Sequence, residues 1–423
     1  MTKKGVIKMR KRICFAVLVL VAVAVVSSAD DSQKPVTSPY TKWEKGPPHD
    51  AGFFPIAVWA QNPTNAKKYR AAGINTYVSL WRGPTEEQLA QLKEADMKVV
   101  CHQNPTGLKN INNATIIAWM HGDEPDNAQD MERRWKDVSE IKKAWPDAPE
   151  KSFEEWGKWG PPVPPAHTQS GYAKVKAADP DRPVLLNLGQ GVAYDRYLGR
   201  GIRTGHLEDY PEYIKGCDIA SFDIYPACHG KKDVAGKLWY VPQGVKRLKV
   251  WANDKVVWNC IECTRISNRE LKKATPHQVK CEVWMSIIHG SMGLIYFVHE
   301  WQPKFNESAV LDDPEMLAGI TAVNRQITEL APVLNSATIK NEAVANSSNE
   351  NVPVAIMLKR YKDATYLFAV AMRDGETDAM FIVNGLDGEK KVEVLGENRT
   401  LTAKNGVFKD SFKAWDVHLY KIR

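Results

Sequence analysis

The sequence predicts a (β/α)8 TIM barrel followed by a small C-terminal β-sandwich domain. After Tyr40, short apolar, β-branched or aromatic runs alternate with amphipathic stretches, which is the pattern of parallel βα units. Eight such repeats occupy roughly 280 residues, close to the usual barrel length of about 250. Beyond Pro332 the helix-like segments give way to alternating runs typical of β-strands. We therefore expect a linker over residues 30–49, a barrel over 50–331 and a β-sandwich over 332–423.

The eight strand candidates of the barrel are short runs rich in apolar, β-branched and aromatic residues. They cover residues 54–59, 75–80, 98–102, 116–120, 183–188, 218–222, 256–261 and 293–298. Helix-like segments lie between them, and several begin at Pro or Thr, as helix starts prefer. These segments cover residues 63–72, 85–95, 128–144, 241–253, 276–289 and 314–330.

An insertion over residues 145–169 follows the fourth strand and contains Trp156 and Trp159. In a TIM barrel this position lies on the face that carries active sites. The insertion is predicted either to line one side of a substrate cleft or to be a surface loop without a role in binding.

The C-terminal part has five strand candidates, at residues 354–358, 364–370, 379–383, 391–394 and 417–420. Hairpin-type turn signals separate some of these runs, namely Asn384-Gly385, Asp387-Gly388 and Asn405-Gly406. These turns favour an antiparallel β domain.

The N-terminus has the layout of a signal peptide. Six Lys or Arg residues precede an apolar run over residues 13–26, which is shorter than the ~20 residues of a membrane span. Small residues follow, and we expect cleavage after Ala29, which predicts a secreted or periplasmic protein with no membrane anchor once the signal peptide is removed. The only nearby cysteine, Cys14, lies at the start of the apolar run, so lipid anchoring is not expected.

Removal of residues 1–29 leaves 51 basic and 50 acidic residues, so the mature chain is nearly neutral. No basic stripe remains that would indicate nucleic acid or an anionic membrane as partner. The 14 Trp residues favour a carbohydrate partner, although core packing accounts for most Trp side chains. The six cysteines that remain after residue 29 and the scattered histidines show no spacing typical of metal ligands. The sequence therefore predicts no metal and no other cofactor.

Two carboxylates follow apolar strands at the end where TIM barrels place functional groups. Glu124 comes just past the fourth strand, in His121-Gly122-Asp123-Glu124-Pro125, and Glu262 ends the seventh strand. Glycoside cleavage needs one carboxyl to protonate the leaving oxygen and another that either attacks the anomeric carbon or activates a water. The pair therefore predicts this chemistry.

These motifs resemble those of clan A, the large clan of retaining TIM-barrel glycoside hydrolases. Its members place the acid/base Glu after strand four, usually as Asn-Glu-Pro, and the nucleophilic Glu at the end of strand seven. The resemblance covers residues 50–331 and implies that Glu124 is the acid/base and Glu262 the nucleophile. Asp123 stands where the clan usually has Asn, which changes the expected contact with the sugar and adds a negative charge that would raise the pKa of Glu124.

Further strand-end residues are candidates for substrate binding. The resemblance implies that Arg82 supports the nucleophile, that Tyr225 orients it and that Trp301 forms an aromatic platform under the sugar. The remaining candidates are His102, Asn187, Asp223 and Glu300, and Glu300 also rivals Glu262 as a catalytic carboxylate because it too ends a strand.

The sequence thus predicts a secreted retaining glycoside hydrolase that cleaves an oligo- or polysaccharide. Two alternatives stay open: a non-catalytic carbohydrate-binding protein on a barrel scaffold, and a metal-assisted barrel hydrolase. The first retains the fold without turnover. The second lacks the expected ligand motifs.

Overall fold

The structure, a computed structural model, describes residues 38–267 and 272–423. The predicted signal peptide lies outside these residues. Within them, no helix combines the length and apolar character needed to cross a membrane.

Eleven strands belong to the N-terminal part of the described chain. They are β1 (Ile56–Trp59), β2 (Thr76–Val78), β3 (Lys98–Cys101), β4 (Ile116–Asp123), β5 (Gln129–Asp130), β6 (Trp159–Gly160), β7 (Val184–Leu188), β8 (Ile219–Phe222), β9 (Val256–Val257), β10 (Asn259–Glu262) and β11 (Leu294–Phe297). β5 and β6 pair with each other as a small separate sheet.

The other nine strands form one parallel sheet in the order β10-β11-β1-β2-β3-β4-β7-β8-β9. β9 and β10 are parts of one extended segment interrupted at Trp258, and they pair with β8 and β11 respectively. The sheet therefore returns on itself as a barrel with eight strand positions. The predicted fold class is confirmed.

Both faces of the barrel strands are buried, which explains why they read as continuous apolar runs. Val78, Val100, Leu185 and Ile295 fill the interior with other small and branched side chains. Trp258 also lies inside, and its indole N–H donates to the Tyr40 hydroxyl at 2.9 Å, which closes the amino-terminal end of the barrel.

Eleven helices accompany these strands. They are α1 (Ala66–Ala71), α2 (Glu86–Glu94), α3 (Pro105–Lys109), α4 (Met131–Arg134), α5 (Val138–Ala144), α6 (Phe153–Trp156), α7 (Pro165–Ala178), α8 (Asp209–Ile214), α9 (Tyr240–Ala252), α10 (Pro276–Ile288) and α11 (Pro314–Leu334). Thr85 and Thr275 each form a full capping box at the starts of α2 and α10, as their sequence patterns indicate.

The single helix expected over residues 128–144 is instead β5, α4 and α5. Asp130 and Asp137 each cap a new helix, with side chains that accept the N–H of Arg133 and Glu140. Trp135 between them is extended and buried, so the helix cannot continue through it. The expected insertion over residues 145–169 correspondingly contains α6, β6 and the first turn of α7.

Nine antiparallel strands form the C-terminal sheet. They are β12 (Thr338–Ile339), β13 (Ala343–Ser347), β14 (Val354–Tyr361), β15 (Ala364–Ala371), β16 (Thr377–Val383), β17 (Glu389–Val394), β18 (Arg399–Lys404), β19 (Val407–Phe412) and β20 (Val417–Ile422). Their order is β12-β14-β15-β20-β17-β18-β19-β16-β13, around a core that includes Phe381 and Tyr420. Asn405 and Gly406, both with positive φ, form the two-residue turn between β18 and β19, as their sequence indicates.

The C-terminal sheet packs on the outer helices of the barrel. Trp284 of α10 stacks on Phe368 of β15 with ring centroids 5.4 Å apart. The buried Lys359 ammonium of β14 donates to the carbonyls of Leu334 and Ser336, at the C-terminus of α11 where a cation is favoured. The sheet is thereby fixed to the side of the barrel.

Candidate active site

A cavity of about 180 Å³ opens at the carboxyl end of the barrel strands. The residues that line it come from β1, β4, β7, β8, β10 and β11 or the loops that follow them. They are Trp59, Asp123, Glu124, Asn187, Gln190, Asp223, Tyr225, Cys260 and Phe297. Five of the ten predicted site residues therefore meet here.

The position of Glu124 follows from an irregularity in β4. The pairing of β4 with β7 shifts by one residue between Met120 and Gly122, which changes the direction of the side chains that follow. Glu124 has a φ of 45°, in the left-handed region that costs a non-glycine residue energy and is common at functional sites. Its N–H donates to the Asn187 carbonyl at 2.9 Å, which extends the pairing past the strand end.

Asn187 joins two carboxylates of the cavity. Its side-chain amide donates to Asp123 at 2.9 Å and to Asp223 at 3.3 Å. Its amide oxygen accepts the Ser221 hydroxyl at 2.8 Å, so the orientation of the amide is fixed. Asn187 is only 1% exposed, and the hydrogen bonds therefore form out of reach of competing water.

Glu124 and Asp223 both line the cavity, and their carboxyl groups are close enough to affect each other's ionisation. Burial, together with the negative charges of Asp223 and Asp123, raises the pKa of Glu124 well above its usual range. Burial and the charge of Asp123 raise the pKa of Asp223 also, while its hydrogen bond with Glu124 opposes that rise. Of the two carboxyls, Glu124 is therefore the one that keeps its proton to higher pH.

Asp126 fixes the loop that carries Glu124. It is fully buried, and its carboxylate accepts the Gly189 N–H at 2.9 Å and the Tyr210 hydroxyl at 3.0 Å. The Arg200 guanidinium donates to its carbonyl at 3.2 Å. The loops after β4 and β7 are thus joined directly beneath the cavity.

Aromatic side chains form the other walls. Tyr225 and Phe297 lie with ring centroids 5.2 Å apart, and Trp59 follows on β1. Apolar ring faces beside carboxylates suit a sugar, which presents C–H groups on its faces and hydroxyls on its edges.

Glu262 does not line this cavity. Its carboxylate oxygens accept the N–H groups of Ala227 at 2.6 Å and Cys228 at 2.8 Å, and the side chain is fully buried. Burial raises the pKa of the Glu262 carboxyl, and these hydrogen bonds oppose the rise. Glu262 therefore holds the loop after β8, the loop that also carries Asp223 and Tyr225.

Glu282 of α10 is the second carboxyl at this buried position. Burial and the charge of Glu262 raise its pKa well above the usual range. As a carboxylate it would meet no N–H or O–H donor among the described residues, but as an acid it donates a hydrogen bond to Glu262. The two carboxyls therefore share one proton, with Glu262 as the charged member.

The remaining predicted site residues lie outside the cavity lining. Arg82 and His102 are exposed beyond β2 and β3. Glu300 pairs through its backbone with Asn306, beyond β11. Trp301 is 48% exposed and lies with its ring centroid 4.9 Å from that of Phe305.

Four residues that line the cavity were not predicted from the sequence, namely Trp59, Gln190, Cys260 and Phe297. Trp59 and Phe297 end the strands β1 and β11, so the strand-end rule that selected Glu124 would also have selected them. Glu282 carried no signal, because its role depends on where α10 packs. Among residues 38–267 and 272–423, no three His, Cys, Asp or Glu side chains are grouped to hold a metal ion.

No protein-family model matches the chain, and no curated protein matches its sequence. Among solved structures, the chain is similar to the alpha-amylase from Geobacillus thermoleovorans in complex with acarbose, with a TM-score of 0.53 and 12% identity over 89% of this chain and 99% of that one. The Anoxybacillus alpha-amylase, described as a new glycosyl hydrolase subclass, gives a TM-score of 0.50 and 10% identity over 89% and 99% of the two chains. These likenesses extend over both the barrel and the C-terminal sheet, and at such identities they concern the fold alone.

Proposed function

We propose that the chain is a glycoside hydrolase that cleaves an oligo- or polysaccharide at the Glu124 cavity. The observation that carries this proposal is that Glu124 and Asp223 line one cavity at the carboxyl end of a TIM barrel, beside aromatic walls. The pKa of Glu124 is raised the more strongly of the two, which suits it to act as the acid and Asp223 as the carboxylate. Cleavage of a glycosidic bond generally requires one carboxylic acid and one carboxylate on either side of the bond.

In the proposed reaction Glu124 gives its proton to the glycosidic oxygen as the bond to the anomeric carbon breaks. Asp223 attacks that carbon and forms a glycosyl ester. Water then attacks the anomeric carbon of this ester while the Glu124 carboxylate accepts a proton from it, the bond between that carbon and Asp223 breaks, and Asp223 leaves as a carboxylate. Retention places the two carboxyls about 5–5.5 Å apart, whereas inversion needs about 6.5–9.5 Å to admit a water between them. Because Glu124 and Asp223 line one small cavity and affect each other's ionisation, we favour the retaining route.

Glu262, the nucleophile implied by the clan A resemblance, is the competing candidate for the Asp223 role. To attack a sugar in the cavity, its carboxylate would have to leave the two N–H groups and the Glu282 acid that now hold it. We therefore assign attack to Asp223 and the positioning of its loop to Glu262. Export by the predicted signal peptide, which places the enzyme outside the cytoplasm, is part of the same proposal.

Hydrolysis of a broad panel of aryl glycosides and polysaccharides tests the proposal. Glu124→Gln and Asp223→Asn should each lower kcat/KM by roughly 10²–10⁴-fold on any substrate that the wild type cleaves. Asp233→Asn is the matched control, since Asp233 lies on the same loop but accepts from Tyr194 and pairs with Arg196 outside the cavity. It should retain full activity.

Two outcomes would refute the proposal. If both cavity variants hydrolyse as fast as Asp233→Asn, the carboxyl pair is not catalytic. If the wild type binds a glycan from the panel without cleaving it, the chain is a carbohydrate-binding protein on a barrel scaffold.

A further inference from the structure

A second groove, of about 430 Å³, lies on the insertion after β4. Its lining includes the side chains of Gln129, Arg133, Arg134, Lys158 and Trp159. The groove is separate from the cavity of Glu124, and none of the predicted site residues lines it.

The groove carries more positive than negative charge. Three of its lining residues are cations, whereas Asp130 is its one acidic lining residue, and an oxygen of Asp130 accepts the N–H of Arg133 at the helix cap. Arg134 is partly balanced by Glu140 at 3.7 Å. Arg133 and Lys158 therefore supply the positive charge available to a ligand.

Trp159 gives the groove an apolar face. Its side chain is 57% exposed, which is unusual for so large an apolar residue, and the Lys158 ammonium lies 5.0 Å from its ring centroid. An exposed ring beside cations suits a ligand that is both ring-shaped and negatively charged.

The two short strands β5 and β6 form the base of the groove. β5 and β6 pair Gln129 with Gly160 and Asp130 with Trp159, which fixes the two walls relative to each other. Behind them Gly160 packs so tightly that an added Cβ would lie 2.3 Å from the sulfur of Met131.

The groove is also close to the proposed catalytic pair. Ala128 lines it and follows Glu124 by four residues, a span of at most about 14 Å for an extended chain. The chain turns between them, because the Asn127 N–H donates to the Glu124 carbonyl, and the Gln129 amide donates to the same carbonyl at 3.3 Å. The backbones of Glu124 and Ala128 are therefore closer together than this limit.

We infer that this groove is a subsite for an anionic sugar residue of the substrate, one that carries a carboxylate or a sulfate ester, with Trp159 against its ring and Arg133 and Lys158 on its charge. The inference rests on the proposed glycosidase function for its substrate. A chain that is nearly neutral once the predicted signal peptide is removed can still carry a local basic site of this kind.

Binding to an immobilised glycan panel tests the subsite independently of turnover. The full chain with Glu124→Gln is compared on neutral, uronate-containing and sulfated oligosaccharides, alone and with Arg133→Ala plus Lys158→Ala, or with Trp159→Ala. Lys151→Ala is the matched control, because Lys151 lies over Trp156 in the same insertion but outside the groove lining.

We expect preferential binding of one anionic class, and the class that binds identifies carboxylate or sulfate. The double variant should weaken that binding about tenfold and reduce its salt dependence, because it removes two exposed charge contacts. Trp159→Ala should weaken it about three- to tenfold. Lys151→Ala should leave it unchanged.

Absence of binding to the panel, preference for neutral glycans, or equal losses in the double variant and Lys151→Ala would each overturn the subsite. Anionic binding that depends on Arg133 and Lys158 in a chain that cleaves nothing would instead keep the subsite and reject the glycosidase proposal.

Discussion

At the scale of single residues, the site depends on negative charges held close together. Asn187 donates to both Asp123 and Asp223, and Glu124 keeps its proton because ionising it would add another charge to this group. The Asp123 that replaces the usual Asn of the clan A motif therefore has an electrostatic role. In the proposed mechanism, this would make Glu124 a better general acid at neutral pH.

Asp123→Asn tests this role through the pH dependence of kcat/KM. In the proposed mechanism the active form has Asp223 ionised and Glu124 protonated, so we expect activity to rise as Asp223 loses its proton and to fall as Glu124 loses its own. Asp123 raises the pKa of both groups. Removing its charge should therefore move both limbs of the profile to lower pH, whereas an unchanged profile would show that Asp123 has no such effect.

At the scale of elements, the loop after β8 carries Asp223 and Tyr225 and is held from outside the cavity. Its Ala227 and Cys228 N–H groups are bound by Glu262 of β10, which Glu282 of α10 supports. The strand end that the resemblance marks as the nucleophile position is in this way connected to the loop that carries the proposed nucleophile, Asp223.

Glu262→Ala should destabilise the fold, because it leaves two buried N–H groups without acceptors at about 1–3 kcal/mol each. Denaturant unfolding of Glu262→Ala beside Asp223→Ala measures the difference. We expect a clear loss of unfolding free energy for Glu262→Ala and little loss, or a gain, for Asp223→Ala, since Asp223 is crowded by like charges. Greater stability in Glu262→Ala would contradict the positioning role.

Strands, helix starts and turns that depend on local sequence patterns could be predicted from the sequence. The eight barrel strands are buried on both faces, and the helix starts at Thr85 and Pro276 and the turn at Asn405-Gly406 form as expected. The expected helix over residues 128–144 was wrong, although Asp137 followed by Glu140 already indicated a second start.

At the scale of the whole molecule, the sequence predicted five of the residues that line the cavity but not how their side chains interact. Glu124 and Asp223 were both recognised as candidates, yet their interaction depends on the bulge in β4 and on Asn187 of β7. The partners of Glu262 come from a loop more than 30 residues earlier and from a helix 20 residues later, so no local pattern could reveal them. The basic groove likewise exists only where β5 and β6 meet.

The measurement that tests the central assignment most directly is rescue by azide of Asp223→Ala and Glu262→Ala on an activated aryl glycoside. Azide can occupy the space of a missing nucleophile and attack the anomeric carbon, giving a glycosyl azide. If Asp223 is the nucleophile, Asp223→Ala should show azide-dependent turnover and give a glycosyl azide product, and Glu262→Ala should show neither. Rescue of Glu262→Ala alone would contradict this prediction and would assign the nucleophile to the seventh barrel strand.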